Sequence, residues 1–140
     1  MRFSVPDGVG AEVSAEASPE TLASHVGSGG LDVFSTPWMI ALMERAAAKA
    51  AEPYLDPSCT TVGTAVDVRH LAGTPPGATV SATARLLSSD GRRLVFEVRA
   101  WDRWGVVGEG RHERMIVDIG KFLGRVSERA SGAPGNPEGR

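Results

Sequence analysis

The chain has 140 residues and is 41% hydrophobic, enough for one core and too little for two, so a single domain is expected. Fifteen basic residues nearly balance seventeen acidic ones, for a net charge of −2 with no long block of one sign, which argues against a dedicated nucleic-acid binder and for small ligands or protein partners. The lone Cys59 excludes an intramolecular disulfide, the amino terminus lacks a secretory pattern, no run approaches the ~18 apolar residues of a membrane span, and His25, His70 and His112 without a Cys-x-x-Cys pair offer no metal-site spacing, so a cytoplasmic protein without a metal is expected.

From Ala11 to Ala17, Val13, Ala15 and Ala17 alternate with Glu12, Ser14 and Glu16, the period of a half-buried strand at a sheet edge. Ser18-Pro-Glu-Thr offers a capping serine and a proline at the first position of a short helix, which Gly27-Ser-Gly-Gly30 then breaks into a flexible loop. The strongest helical signal runs from Pro37 to about Glu52, rich in Ala, Leu and Met and ended by Pro53. Arg45, Lys49 and Glu52 share one face, while Trp38, Met39, Leu42, Ala46 and Ala50 leave most of the circumference apolar, so this helix is expected to be largely buried.

Downstream the period becomes two. Thr64, Val66, Val68 and His70 share one side of a strand, and Ala65, Asp67, Arg69 and Leu71 the other. Thr74-Pro-Pro-Gly77 marks a turn, Val80, Ala82, Ala84 and Leu86 alternate again, and Asp90-Gly91 predicts a hairpin before Leu94, Phe96, Val98 and Ala100. Asp102-Arg-Trp-Gly105 predicts the next turn and Val106 to about Asp118 the last long strand. A long apolar helix followed by antiparallel strands buries its surface if the sheet curls around it. The expected fold is therefore α+β, a hot-dog fold over residues 1–126, although an open α+β sandwich or a cone around a ligand cavity shares the same pattern. Residues 127–140, with three glycines and two prolines in the last ten positions, are expected to form a disordered tail.

Several polar groups stand out against this apolar frame. Thr36, directly before a proline and an apolar helix, is placed to be the N-cap, and a helix N-terminus also offers donors to a developing oxyanion. Glu44 has Ile40, Ala41, Ala47 and Ala48 at helical spacing and so lacks a basic neighbour; buried, such a carboxylate suits a general base. His70 is placed to point toward the helix, either as a core histidine bonded to backbone or as a proton carrier with a pKa near ~6.5. Gly63 is loop punctuation or a point of close approach to a ligand carbonyl. Arg114 is expected in a surface ion pair, or reaching an anionic ligand or Glu44. Trp38 at the helix start is placed to line a pocket, whereas Trp101 and Trp104 flank a turn.

In chain order, the chain carries Thr-x-x-Met-x-x-Leu-Met-Glu (Thr36 to Glu44), Ala-x-x-Tyr-Leu (Ala51 to Leu55) and Gly-Thr-Ala-x-x-Val-x-His (Gly63 to His70). Thr-Pro-Pro-Gly (Thr74 to Gly77), Gly-Arg-Arg-Leu (Gly91 to Leu94) and His-Glu-Arg (His112 to Arg114) follow. In these motifs, from about Val33 to Val126, it resembles the fluoroacetyl-CoA-specific thioesterase-like family of hot-dog proteins. The resemblance implies hydrolysis of a small acyl-CoA thioester by a homodimer with no cofactor. Thr36, Glu44 and His70 match catalytic positions of that family, and Gly63 and Arg114 supporting ones. In that scheme His70 assists proton transfer, Glu44 is base or nucleophile toward the acyl group, Thr36 positions or activates the reacting groups, and Gly63 lies near the thioester carbonyl.

One departure affects specificity. The fluoroacetyl-selective member carries bulky aromatic residues before the catalytic helix, where this chain has Gly27-Ser-Gly-Gly30; Phe34 and Trp38 remain as candidate substrate contacts. Pro37 also replaces the glycine usual in the family and stiffens the start of the helix. A wider or more mobile acyl pocket is expected, with a substrate that need not be fluorinated. Enoyl-CoA hydration on the same fold and non-catalytic acyl-CoA binding are the alternatives. A homodimer also follows from physics, since a single curled sheet leaves an edge strand and part of its helix to cover.

Overall fold

A computed structural model describes residues 4–132 and 135. Strand β1 (Gly10–Glu16) leads through a 3-10 turn (Pro19–Thr21) and one helical turn, α1 (Ala23–Val26), to the long helix α2 (Thr36–Ala51). After a second 3-10 turn (Glu52–Tyr54) come β2 (Cys59–His70), β3 (Thr79–Asp90), β4 (Arg93–Asp102) and β5 (Gly105–Asp118), and then helix α3 (Ile119–Ser131). The strands form one antiparallel sheet in the order β1-β3-β4-β5-β2, with α2 against all five. This is the α+β arrangement of a long helix wrapped by a curved sheet.

The side chains account for this packing. Met39, Leu42, Met43, Ala46, Ala47 and Ala50 recur every three or four residues and are all buried. They meet the alternating inner row of β3 and β4, where Val80, Ala82, Ala84, Leu86, Phe96, Val98 and Ala100 are nearly inaccessible. The alanines on both surfaces let helix and sheet approach closely, while Leu42, Phe96 and Leu86 each stabilise the fold by roughly 1.5–3 kcal/mol through burial. The Asp90-Gly91 hairpin forms as expected, with Asp90 paired to Arg93 and Gly91 at φ 60°, a conformation that favours glycine. β1 lies at one edge of the sheet, as its alternation implied, and β2 at the other.

The structure corrects several local expectations. The cap of α2 is Ser35, whose hydroxyl accepts from the Trp38 N–H at 3.3 Å, and Thr36 is the first helical residue. Pro37, the second helical residue, has no N–H to give, so the Ser35 hydroxyl takes the N–H of the third, Trp38. Ser18 caps nothing with its side chain; the segment after it tightens into a 3-10 turn, and the helical turn starts at Ala23. β2 begins at Cys59, well before Gly63, and a bulge between Gly63 and Ala65 interrupts its alternation.

The chain from Ile119 is helical through Ser131, so residues 127–131 are not tail; Asp118 caps α3 by accepting from the Lys121 N–H at 3.0 Å. Most of the remaining expected tail, residues 133, 134 and 136–140, lies outside the described residues. Among the described residues no helix is long and apolar enough to cross a membrane.

Candidate active site

Because Ser35 supplies the cap, the Thr36 hydroxyl is released from backbone duty at the start of α2. It lies 2.7 Å from His70 Nδ1 at the end of β2. The other ring nitrogen, Nε2, is buried and has no hydrogen-bond partner among the described residues. Burial lowers the His70 pKa below its ordinary value, opposed by the nearby backbone of Ala72. At neutral pH the ring is therefore neutral and able to accept a proton. Thr36 and His70 face a cleft of about 340 Å³ walled by Phe34, Leu71, Ala72 and Gly73.

The Thr-Pro-Pro-Gly turn holds that wall. Thr74 donates to the Asp102 carboxylate at 2.6 Å in the interior, and its carbonyl accepts the Phe34 N–H at 2.9 Å. Phe34 is almost wholly buried and forms the cleft's base rather than a movable cover. Trp38 does not line this cleft: it packs half-buried against the core, with the Arg45 guanidinium 5.1 Å from its ring centre.

A second cluster lies farther along α2. Glu44 is eight residues beyond Thr36, about 12 Å at the helical rise, and its carboxylate accepts from Arg114 Nη1 at 3.4 Å. The pair is not a surface ion pair: the Arg114 side chain is only 9% exposed, against 42% for Glu44. Arg114 also donates from Nε to the Thr61 hydroxyl at 2.8 Å and from Nη2 to the Thr61 carbonyl at 3.0 Å. Burial pulls the Arg114 pKa down and Glu44 opposes the shift, so the guanidinium keeps its charge. Nη1 further contacts His112 Nε2 at 3.2 Å.

Gly63 pairs with Arg114 across β2 and β5 and is part of the strand, not loop punctuation. A β-carbon at Gly63 would stand 2.6 Å from Glu44 Oε2 and 3.3 Å from His112 Cε1, so only glycine leaves the carboxylate its place. The structure thus joins Thr36 to His70, and Glu44 to Gly63 and Arg114, without a hydrogen bond between the two groups. Sequence reasoning missed Thr61 and His112. The signal for both was period two: Thr61 precedes Gly63, and His112 precedes Arg114, by two residues on the inner side of their strands.

Comparison with known proteins gives this geometry a context. Residues 8–119 match the family described as fluoroacetyl-CoA-specific thioesterase. The fluoroacetyl-CoA thioesterase of Streptantibioticus cattleyicolor is 45% identical over 98 residues, 70% of this chain and 70% of that one. A crystal structure of a variant of the fluoroacetyl-CoA-specific thioesterase FlK superposes with a TM-score of 0.84 at 35% identity, covering 91% of this chain and 99% of that one. The same variant in complex with fluoroacetate and CoA gives a TM-score of 0.79 at 37% identity, covering 84% and 98%. A Thermus thermophilus member of the thioesterase superfamily gives 0.82 at 32% identity, covering 93% and 98%.

Proposed function

The chain belongs to the fluoroacetyl-CoA-specific thioesterase family, a hot-dog thioester hydrolase of small acyl-CoA substrates, and we propose that it performs this hydrolysis with Thr36, His70 and Glu44. The observation that carries the assignment is the 2.7 Å contact between the Thr36 hydroxyl and a neutral His70 ring. A threonine hydroxyl is a weak nucleophile until a base accepts its proton, and His70 Nδ1 is within reach of that proton.

The steps balance without a further reagent. Thr36 Oγ1 attacks the thioester carbonyl as its proton passes to His70 Nδ1; the C–S bond breaks, and the same proton leaves on the CoA thiol. Water then attacks the acyl ester, its proton passes through the base to Thr36, and the free acid departs. The N–H groups at the start of α2 and its positive end favour the negative oxygen that develops on the carbonyl. Glu44, held by Arg114, is the carboxylate that takes up or orients the attacking water, and the missing side chain at Gly63 leaves that carboxylate its place.

The homodimer belongs to the same reading. β2 is an edge strand, and Val66 on it is 41% exposed in a single copy. A two-fold association along β2 runs the two strands antiparallel, which turns the Glu44 end of one copy toward the His70 end of the other. That would reunite the two clusters that a single protomer keeps apart. Acyl-CoA as substrate and a single cysteine, Cys59, which can form no disulfide within the chain, fit a cytoplasmic site of action. Residues 27–30 are all exposed beside the cleft, which supports a broader acyl preference than fluoroacetyl alone.

The deciding experiment is thiol release from acetyl-, fluoroacetyl-, short branched and aromatic acyl-CoA, with sedimentation of the same preparation. Turnover of several small acyl groups by a dimer is expected. A strong preference for fluoroacetyl-CoA over acetyl-CoA would overturn the broad pocket, and a monomer in sedimentation would overturn the dimer.

A further inference from the structure

His112 is 1% exposed, and both of its ring nitrogens have partners that work in one direction only. Nδ1 lies 2.8 Å from the Ala65 carbonyl oxygen, which can only accept, so Nδ1 carries the hydrogen. Nε2 lies 3.2 Å from Arg114 Nη1, which can only donate, so Nε2 presents its lone pair. The surroundings therefore fix one neutral tautomer. Burial and the Arg114 charge both disfavour the imidazolium, against weaker opposition from the Ala65 bond and the carboxylates of Glu44 and Glu113.

We propose that His112 is a positioning residue for the hydrolytic site, tying the β2 bulge through Ala65 to the Arg114 guanidinium, and through Arg114 setting where the Glu44 carboxylate stands over Gly63. The geometry leaves the guanidinium little freedom. Thr61 takes Nε and Nη2 of the planar group, which leaves it only a tilt about that edge, and the acceptor that sets the tilt of Nη1 toward Glu44 is His112 Nε2. Ala65 closes the same bulge that Gly63 opens, so one ring registers both strands against the carboxylate. Loss of the Nε2 acceptor lets Nη1 swing and moves Glu44, while the fold keeps its apolar core.

The inference rests on the reading that Glu44 and Arg114 serve thioester hydrolysis, so its test has one arm that needs no activity. In His112→Asn the amide can still donate to Ala65 but has no acceptor where Nε2 stood; in His112→Gln the longer side chain carries a carbonyl to that place. Thiol-release kinetics are expected to show kcat down about tenfold or more in His112→Asn with KM within about twofold, and His112→Gln within about threefold of the parent. In an Arg114→Met background, where no donor remains, His112→Asn is expected to add no further loss. Equal losses in the Asn and Gln variants, or a full loss in the Arg114→Met background, would overturn the proposal.

The activity-free arm is nitrogen-15 NMR of the parent protein at pH 7, which is expected to show His112 as the neutral Nδ1–H tautomer. A protonated Nε2, alone or in an imidazolium, would overturn the proposal whatever the variants do. A parent protein that hydrolyses no acyl-CoA would defeat the hydrolase reading, and the NMR result would still decide the tautomer.

Discussion

Thr36 Oγ1 and His70 Nδ1 meet at 2.7 Å across 34 residues of chain because Ser35, not Thr36, caps α2. Adjacent residues of similar chemistry thereby divide two tasks. Thr36→Ala is expected to lower kcat by about 10²–10⁴ with little change in melting temperature. Ser35→Ala is expected to cost about 1 kcal/mol of stability, a few degrees in Tm, and to affect kcat far less. Thiol-release assays beside thermal melts of both variants check the division; a Thr36→Ala protein that melts early and keeps its turnover would reverse it.

His70 must be neutral to accept the Thr36 proton, and burial lowers its pKa, so activity should fall on the acid side only below about pH 6.5, the ordinary value for imidazole. Stability follows with a determined sign. His70 and His112 both have lowered pKa values in the folded state, so between those values and about 6.5 the unfolded chain binds more protons than the folded one. Stability from these groups is therefore present above about pH 6.5 and is lost as pH falls through that window. Urea midpoints measured from pH 8 to pH 5 are expected to drop with acid, and the drop should shrink in His112→Gln.

Gly63→Ala would put a methyl group 2.6 Å from Glu44 Oε2, closer than a carbon can stand. The partly exposed carboxylate can give way, so the fold should survive, whereas its aim toward Arg114 should not. A fall in kcat of about 10- to 100-fold with near-normal melting is expected. Normal turnover in this variant would show that the carboxylate's placement is not needed for chemistry.

The chain's periodicities made the long helix, five strands and their antiparallel sense readable before any coordinates, whereas the order of the strands in the sheet emerged only from the structure. The local ends were less readable. Whether Ser35 or Thr36 caps α2 turns on where the N–H groups point once Pro37 has removed one, which composition does not show. α3 was missed because its apolar residues, Ile119, Leu123 and Val126, stay exposed in one copy, so no core contact rewards a helix that its two glycines disfavour. The candidate site was half legible. Thr36 and Glu44 stand in one motif and His70 ends another, but their division into two clusters depends on how far apart one helix holds its residues, and the role of His112 is invisible until its two partners are in place.

The last prediction concerns the cleft wall. Thr74 and Asp102 form a buried hydrogen bond at 2.6 Å, and the second carboxylate oxygen of Asp102 accepts the Trp104 N–H at 2.9 Å. Thr74→Val keeps the shape but leaves one carboxylate oxygen buried without its donor, which should cost about 1–3 kcal/mol. Thr74→Ser restores the donor and should recover most of it. The same turn holds Phe34 through the Thr74 carbonyl, so loosening it should also widen the cleft beside Thr36 and His70. Urea unfolding of both variants, with KM for the smallest and the largest acyl-CoA that the parent turns over, tests both halves. The Val variant is expected to unfold at lower urea and to lose affinity for the small acyl group first, since its contacts there are fewest to begin with. Equal stability of Thr74→Val and Thr74→Ser would mean that the hydroxyl's bond to Asp102 contributes nothing to the fold.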